Sequence, residues 1–187
     1  MSGLMQISRL IDRLNTLVGR TVYWFVLAAV LVSSINATIR YSFHRSSNSW
    51  LELQWYLFAA VFLLCAGYTL LHNEHIRIDV VNSHLKRRTQ IWIDILGTIF
   101  FLLPFTIMIM YLAWPIAVHS IISNEQSSDA GGLVRWPARL LVPVGFLLLV
   151  LQAFSELIKR IAFLTGDGPD PLEKHAPHGS TPESEHV

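Results

Sequence analysis

Four long runs of apolar residues dominate the chain and are separated by short polar segments. The runs cover about residues 17–39, 50–71, 91–122 and 138–164. Each run is long enough for an α-helix to cross a hydrocarbon layer of about 30 Å, which takes roughly 20 residues. The predicted fold class is therefore an all-α integral membrane protein with four transmembrane helices.

The third run is longer than a bilayer requires. A helix over residues 91–122 would measure about 48 Å, so we expect it to tilt, to kink or to project beyond the hydrocarbon. Pro104 and Pro115 are the candidate kink positions, because proline lacks a backbone donor and its ring clashes with the preceding turn.

The segments outside the runs predict the remaining organisation. Residues 1–16 are expected to form a cytoplasmic amphipathic arm, and residues 17–165 the membrane domain. Residues 75–90 mix aliphatic and basic side chains, which predicts a short interfacial helix, and the arm is a second candidate for one. Residues 166–187 are rich in Gly, Pro, His, Ser and acidic residues, which favours a disordered cytoplasmic tail.

Lys and Arg are unevenly distributed between the two sides of the predicted bundle. Ten lie in the N-terminal segment, the second connection and the C-terminal flank, against four in the first and third connections. Because short cytoplasmic loops are enriched in Lys and Arg, both termini are predicted to lie in the cytoplasm. The six tryptophans lie mostly near helix ends and are interpreted as interfacial anchors.

Composition excludes several functional classes. Hydrophobic residues make up 52% of the 187 residues and charged residues only 14%, against about 25% charged in soluble domains. The net charge of +1 gives no reason to expect a nucleic-acid partner. Cys65 is the only cysteine, which excludes an intramolecular disulfide and a multi-cysteine metal site. Without a Walker, nucleophile-elbow, zincin or dinucleotide motif, no enzymatic activity and no cofactor are expected.

Ionisable residues inside a membrane often mark a transport route. Asp94, Glu156 and Glu52 all fall near predicted helix ends, whereas ion and substrate sites of transporters lie near the midplane. This argues against the chain being the transport pathway itself. For Glu52 two readings stay open: a contact with a partner helix, or a partly hydrated carboxylate at the interface.

The histidines disfavour a haem-binding electron-transfer subunit. Four-helix membrane cytochromes hold haem between paired histidines inside the bundle. No such pair is evident here, because the relevant residues fall in loops or near membrane faces: His44, His72, His75, His84 and His119.

Small residues form stripes on the first two predicted helices. Such stripes permit close approach of helices in lipid. Packing within the chain and a seam for a second subunit both remain open for these positions: Ala29, Ser33, Ala37, Ala59 and Ala66.

A series of motifs in fixed order resembles a known family. The motifs are ELQWYLF at residues 52–58, HIRIDV at 75–80, GGLVRWPA at 131–138 and PVGF at 143–146. Their order, together with four spans, resembles the small membrane subunit (DctQ-like) of tripartite ATP-independent periplasmic (TRAP) transporters. The resemblance covers about residues 15–165.

The resemblance implies a small permease subunit of a secondary transporter in a bacterial or archaeal cytoplasmic (inner) membrane. In such systems a periplasmic substrate-binding protein delivers an organic acid, and a large membrane subunit carries the substrate and sodium sites. The small subunit braces the large one. The alternative is a membrane anchor or an electron-transfer subunit of another complex. The family pattern suggests that eight residues shape the scaffold and contact the large subunit: Glu52, Gln54, Tyr56, His75, Arg77, Asp79, Trp136 and Pro137. For the segment around Arg77, control of the membrane topology by its positive charges remains an alternative.

Overall fold

The computed structural model describes residues 2–44, 47–72 and 86–166. Residues 167–187 of the predicted tail, most of the predicted interfacial helix, and His75, Arg77 and Asp79 lie outside the described residues. The helices are α1 (Ser2–Phe43), α2 (Asn48–Leu64), α3 (Ala66–Leu71), α4 (Arg87–Gly97), a π-helical turn (Thr98–Leu102), α5 (Leu103–Ile122) and α6 (Trp136–Leu164).

Four helical stretches are long and apolar enough to cross a membrane. They are Gly3–Phe43, Asn48–Leu71, Arg87–Ile122 and Trp136–Leu164. The predicted fold class of four transmembrane helices is therefore confirmed. Each stretch extends beyond its apolar run at one end or both, because a helix continues wherever its backbone hydrogen bonds can form.

The N-terminal arm and the first span form one helix of 42 residues. Apart from Gly19, the buried residues of α1 are spaced seven positions apart. This spacing keeps one face, or seam, of a helix towards its neighbours in left-handed packing. The seam consists of Ser8, Asn15, Val22, Ala29 and Asn36. Ser33 and Ala37, which share the small-residue stripe with Ala29, are exposed.

Helix α6 lies at the centre of the bundle and packs against every other helix. Half of its most apolar stretch is buried within the protein, against at most 22% for the other three spans. Gly145 permits the closest approach to α2, because a Cβ atom there would lie 2.7 Å from the carbonyl oxygen of Leu63. Small residues at such crossings let helix backbones pack directly on each other in lipid.

The third span contains the π-helical turn directly before Pro104. The N–H of Leu103 bonds to the carbonyl of Thr98, five residues earlier, and thereby widens the helix where Pro104 cannot donate to the preceding turn. Pro115 lies inside α5, which continues to Ile122. A hydrophobic core joins this span to α6 through Ile91, Ile95, Leu103, Val150, Ala153 and Leu157.

Candidate functional sites at the two ends of the bundle

The carboxylate of Glu52 is bound by the connection between α5 and α6. Its side chain lies in the second turn of α2, and the residue is only 7% exposed. One oxygen accepts the N–H of Leu133 at 2.6 Å, and the other accepts the hydroxyl of Ser127. Hydrogen bonds to a charged group are stronger than those between neutral groups. The polar partners of Glu52 in the described structure therefore come from the chain's own loop.

This loop has a defined backbone. Ser127 N–H bonds to the carbonyl of Leu133 at 3.0 Å, and an antiparallel bridge pairs Gln126 with Val134. Gly131 turns the chain with φ of 72°, a conformation that glycine adopts without steric cost. At Gly132 a Cβ atom would lie 2.8 Å from a carboxylate oxygen of Glu52.

Further contacts fasten the loop to α2 and α6. Tyr56 donates its hydroxyl to the carbonyl of Val134 at 3.2 Å, and Asn48 donates to the carbonyl of Ala130 at 3.1 Å. On the other side, Arg139 of α6 pairs with Glu125 at 2.5 Å. We call Glu52, Tyr56 and this loop the Glu52 cluster. It joins the second span to the fourth at one end of the bundle.

The remaining predicted scaffold residues in the described structure lie near this cluster. Gln54 is half-buried on α2, two residues beyond Glu52. Trp136 is the exposed first residue of α6, and Pro137 follows in the first turn, where the missing N–H of proline costs no helical bond. The Trp136–Pro137 pair therefore marks the start of the last span.

At the opposite end, a buried polar network joins the N-terminal part of α1 to α6. Asn15 donates to the side-chain oxygen of Gln152 at 2.9 Å, and Gln152 donates to Asp12 at 2.8 Å. Asp12 also accepts the hydroxyl of Ser155 at 2.7 Å and pairs with Lys159 at 3.2 Å. The five side chains connect residues that are more than 130 positions apart in the sequence.

The network continues through charged residues to α4. Glu156 contacts Lys159 and lies 3.6 Å from the guanidinium of Arg160. Arg160 is 3% exposed and also lies 3.5 Å from the carboxylate of Asp94. A buried charge is costly unless opposite charges or hydrogen bonds compensate it. Arg160 is thus held between carboxylates from two helices.

Sequence reasoning noted Asp94 and Glu156 but missed the network to which they belong. One signal was available on α6, where polar residues recur at positions i, i+3, i+4 and i+7, the spacing of one helix face. These positions are Gln152, Ser155, Glu156 and Lys159. The partners on α1, Ser8, Asp12 and Asn15, also recur at i, i+4 and i+7, but the neighbouring charges of Arg9 and Arg13 obscure this face in a segment that resembles an amphipathic arm.

Between the two ends the spans carry no Asp, Glu, Lys or Arg. The charge-free stretches are 21–39, 53–71, 95–118 and 140–155. The first two measure about 28 Å each as helices, close to the hydrocarbon thickness. Among the described residues, no group of three or more His, Cys, Asp and Glu side chains is arranged to hold a metal ion.

These features define a multi-pass membrane protein of four helices, with polar clusters confined to the two ends of the bundle. The family model described as "Tripartite ATP-independent periplasmic transporters, DctQ component" matches residues 29–163. The chain belongs to this DctQ family, and the predicted resemblance is confirmed. Searches of the curated proteins and of the solved structures found no match.

Proposed function

We propose that the chain is the small permease subunit of a TRAP-type secondary transporter and that it braces the large membrane subunit without conducting substrate itself. The observation that carries this proposal is the charge-free layer between the two polar ends. A subunit that bound an organic anion and sodium would be expected to carry charged groups near the midplane, commonly on broken helices.

The arrangement of the helices supports a bracing role. The Glu52 cluster joins the second span to the fourth at one end of the bundle. At the other end, the buried polar network that includes Asp12 and Arg160 joins the first and third spans to the fourth. A bundle fastened at both ends resists sliding of its helices. Such a body suits a fixed support for a moving partner.

The proposal names partners and a setting. The large membrane subunit would carry the substrate and sodium sites, and a periplasmic binding protein would deliver an organic acid. The membrane is a bacterial or archaeal cytoplasmic membrane, with both termini in the cytoplasm. Glu52, Tyr56, Trp136 and Pro137 would shape the supporting surface through the loop that they hold or flank, with Gln54 beside them.

Reconstitution tests the proposal. The chain and the large subunit are incorporated into vesicles separately or together, with the binding protein, labelled substrate and an inward sodium gradient. We expect uptake only when both membrane subunits are present. Full uptake by the large subunit alone would contradict the bracing role, and uptake by this chain alone would identify it as a conduit.

A further inference from the structure

A groove on the outer surface of α1 combines a charged residue with aromatic walls. It has a cavity volume of about 360 Å³ and is lined by Gly19, Arg20, Tyr23, Trp24 and Tyr68. Gly19 packs directly under the ring of Tyr68, where a Cβ atom would lie 2.6 Å from the ring. Tyr23 and Trp24 remain 66% and 63% exposed. The groove is therefore open to the surroundings of the bundle.

The groove lies at the edge of the charge-free layer. Arg20 directly precedes the charge-free stretch 21–39, and Tyr68 lies one turn before His72, which follows the stretch 53–71. A Cβ atom added at Gly67, the residue before Tyr68, would collide with the side chain of Asn15, which belongs to the polar network. Phosphate groups of lipids occupy this boundary, where Arg, Trp and Tyr side chains are favoured.

Arg20 brings to the groove a positive charge that no residue of the described ranges compensates. Within the described ranges it forms no hydrogen bond or ion pair, and none of the other four lining residues is acidic. Arginine binds phosphate oxygens through two parallel N–H donors. The aromatic walls offer an apolar surface to the glycerol and upper acyl carbons of the same molecule.

We propose that this groove is a binding site for an anionic phospholipid, with Arg20 binding the phosphate and Tyr23, Trp24 and Tyr68 enclosing the glycerol region. The lack of an acidic side chain among the described lining residues favours a headgroup without an amine, such as that of phosphatidylglycerol. The site lies away from the Glu52 cluster and does not depend on the bracing role.

Lipid retention and Trp24 fluorescence test the site. The full chain is purified from bilayers of phosphatidylcholine with a minor fraction of phosphatidylglycerol, and retained lipids are quantified by mass spectrometry. We expect phosphatidylglycerol to be enriched at least about fivefold over its bulk fraction. Quenching by brominated lipids is compared between the wild type and Trp24→Phe, because the difference isolates Trp24 from the other five tryptophans. Brominated phosphatidylglycerol should quench Trp24 more strongly than brominated phosphatidylcholine.

Two variants decide the outcome. Arg20→Gln should abolish both the enrichment and the selective quenching, whereas Arg13→Gln, which removes an exposed charge from the same helix outside the groove, should leave both unchanged. Size-exclusion chromatography and circular dichroism confirm that the variants remain folded. The proposal is overturned by equal enrichment in Arg20→Gln or by equal quenching from both lipids. It is also overturned if Arg20→Gln leaves lipid retention intact and instead weakens copurification with the large subunit, since the groove would then bind a protein side chain.

Discussion

Asn15 donates a hydrogen bond to Gln152 at 2.9 Å, and neither residue has any exposed surface. The bond joins α1 to the central helix α6 at the level where charged residues give way to the apolar layer. Its geometry fixes the rotation of α1, because Asn15 occupies the same seven-residue seam as Val22 and Ala29. Rotating the helix would remove all three residues from the interface together.

This bond should appear as an interaction energy between the two positions. Asn15→Leu and Gln152→Leu each leave a buried polar partner unsatisfied, so each should lower the free energy of unfolding by about 1–3 kcal/mol. The double variant should lose less than the sum of the single losses, by about 1 kcal/mol. Unfolding by denaturing detergent, followed by circular dichroism, measures all three. Ser34→Ala on an exposed part of α1 is the control, and strictly additive losses would show that the two residues do not interact.

Neutralising Glu52 should release the loop between α5 and α6. In Glu52→Gln the charge is lost, and the amide group faces either the N–H of Leu133 or the hydroxyl of Ser127. Since hydrogen bonds to a charged group contribute about 1.5–3 kcal/mol, the Leu133 amide should exchange its hydrogen at least about tenfold faster. Hydrogen exchange read by mass spectrometry reports the change. Ala130→Ser in the same loop should leave exchange at Leu133 unaltered, and unchanged protection in Glu52→Gln would refute the anchoring role.

Two helical glycines should respond oppositely to alanine. Gly145→Ala places a Cβ atom 2.7 Å from the carbonyl oxygen of Leu63, so α2 and α6 must separate at a cost of about 1–3 kcal/mol. Gly97→Ala meets nothing within 4 Å and gains up to about 1 kcal/mol of helix propensity. Thermal unfolding of both variants in the same detergent makes the comparison. Equal melting temperatures would mean that α2 and α6 do not cross as closely as described.

Removing the buried guanidinium should destabilise the bundle severely. Arg160→Met leaves Asp94 and Glu156 near each other without this positive charge, and breaking a buried ion pair in this way costs about 3–5 kcal/mol. Arg13→Met removes an exposed arginine and should change stability by less than about 0.5 kcal/mol. The yield of monodisperse protein and the midpoint of detergent unfolding measure the difference. A stable Arg160→Met protein would show that the network does not hold α4 to α6.

The spans could be predicted from the sequence because each is a continuous apolar run, and a run of about 20 apolar residues is the main requirement for a helix that crosses the hydrocarbon layer. The ends of the helices could not. Residues 2–16 carry Arg9, Asp12 and Arg13, so hydropathy separates them from the first span, whereas the backbone continues through them as one helix. Hydrogen bonding along the backbone decides where a helix ends, and no residue in that segment interrupts it.

The pairing of the interior polar residues could not be predicted either. Asp12 and Lys159 are far apart along the chain, and nothing local indicates that they pair. For Glu52 the sequence suggested, as one of two readings, a contact with a partner helix. Its polar partners lie instead in a loop, and the turn of that loop depends on Gly131. Among the two candidate prolines, Pro104 follows the π-helical turn, and nothing in the sequence distinguishes it from Pro115.

The central position of α6 has a consequence for how the protein is made. Synthesis proceeds from the N-terminus, so the first three spans enter the membrane before the helix that they all contact exists. The first two spans can pack on each other, but the third has its main contacts with α6 alone. Until α6 has been synthesised as far as residue 164, the inward face of the third span remains in contact with lipid or with the insertion machinery. Completion of the four-helix bundle is therefore tied to the insertion of α6.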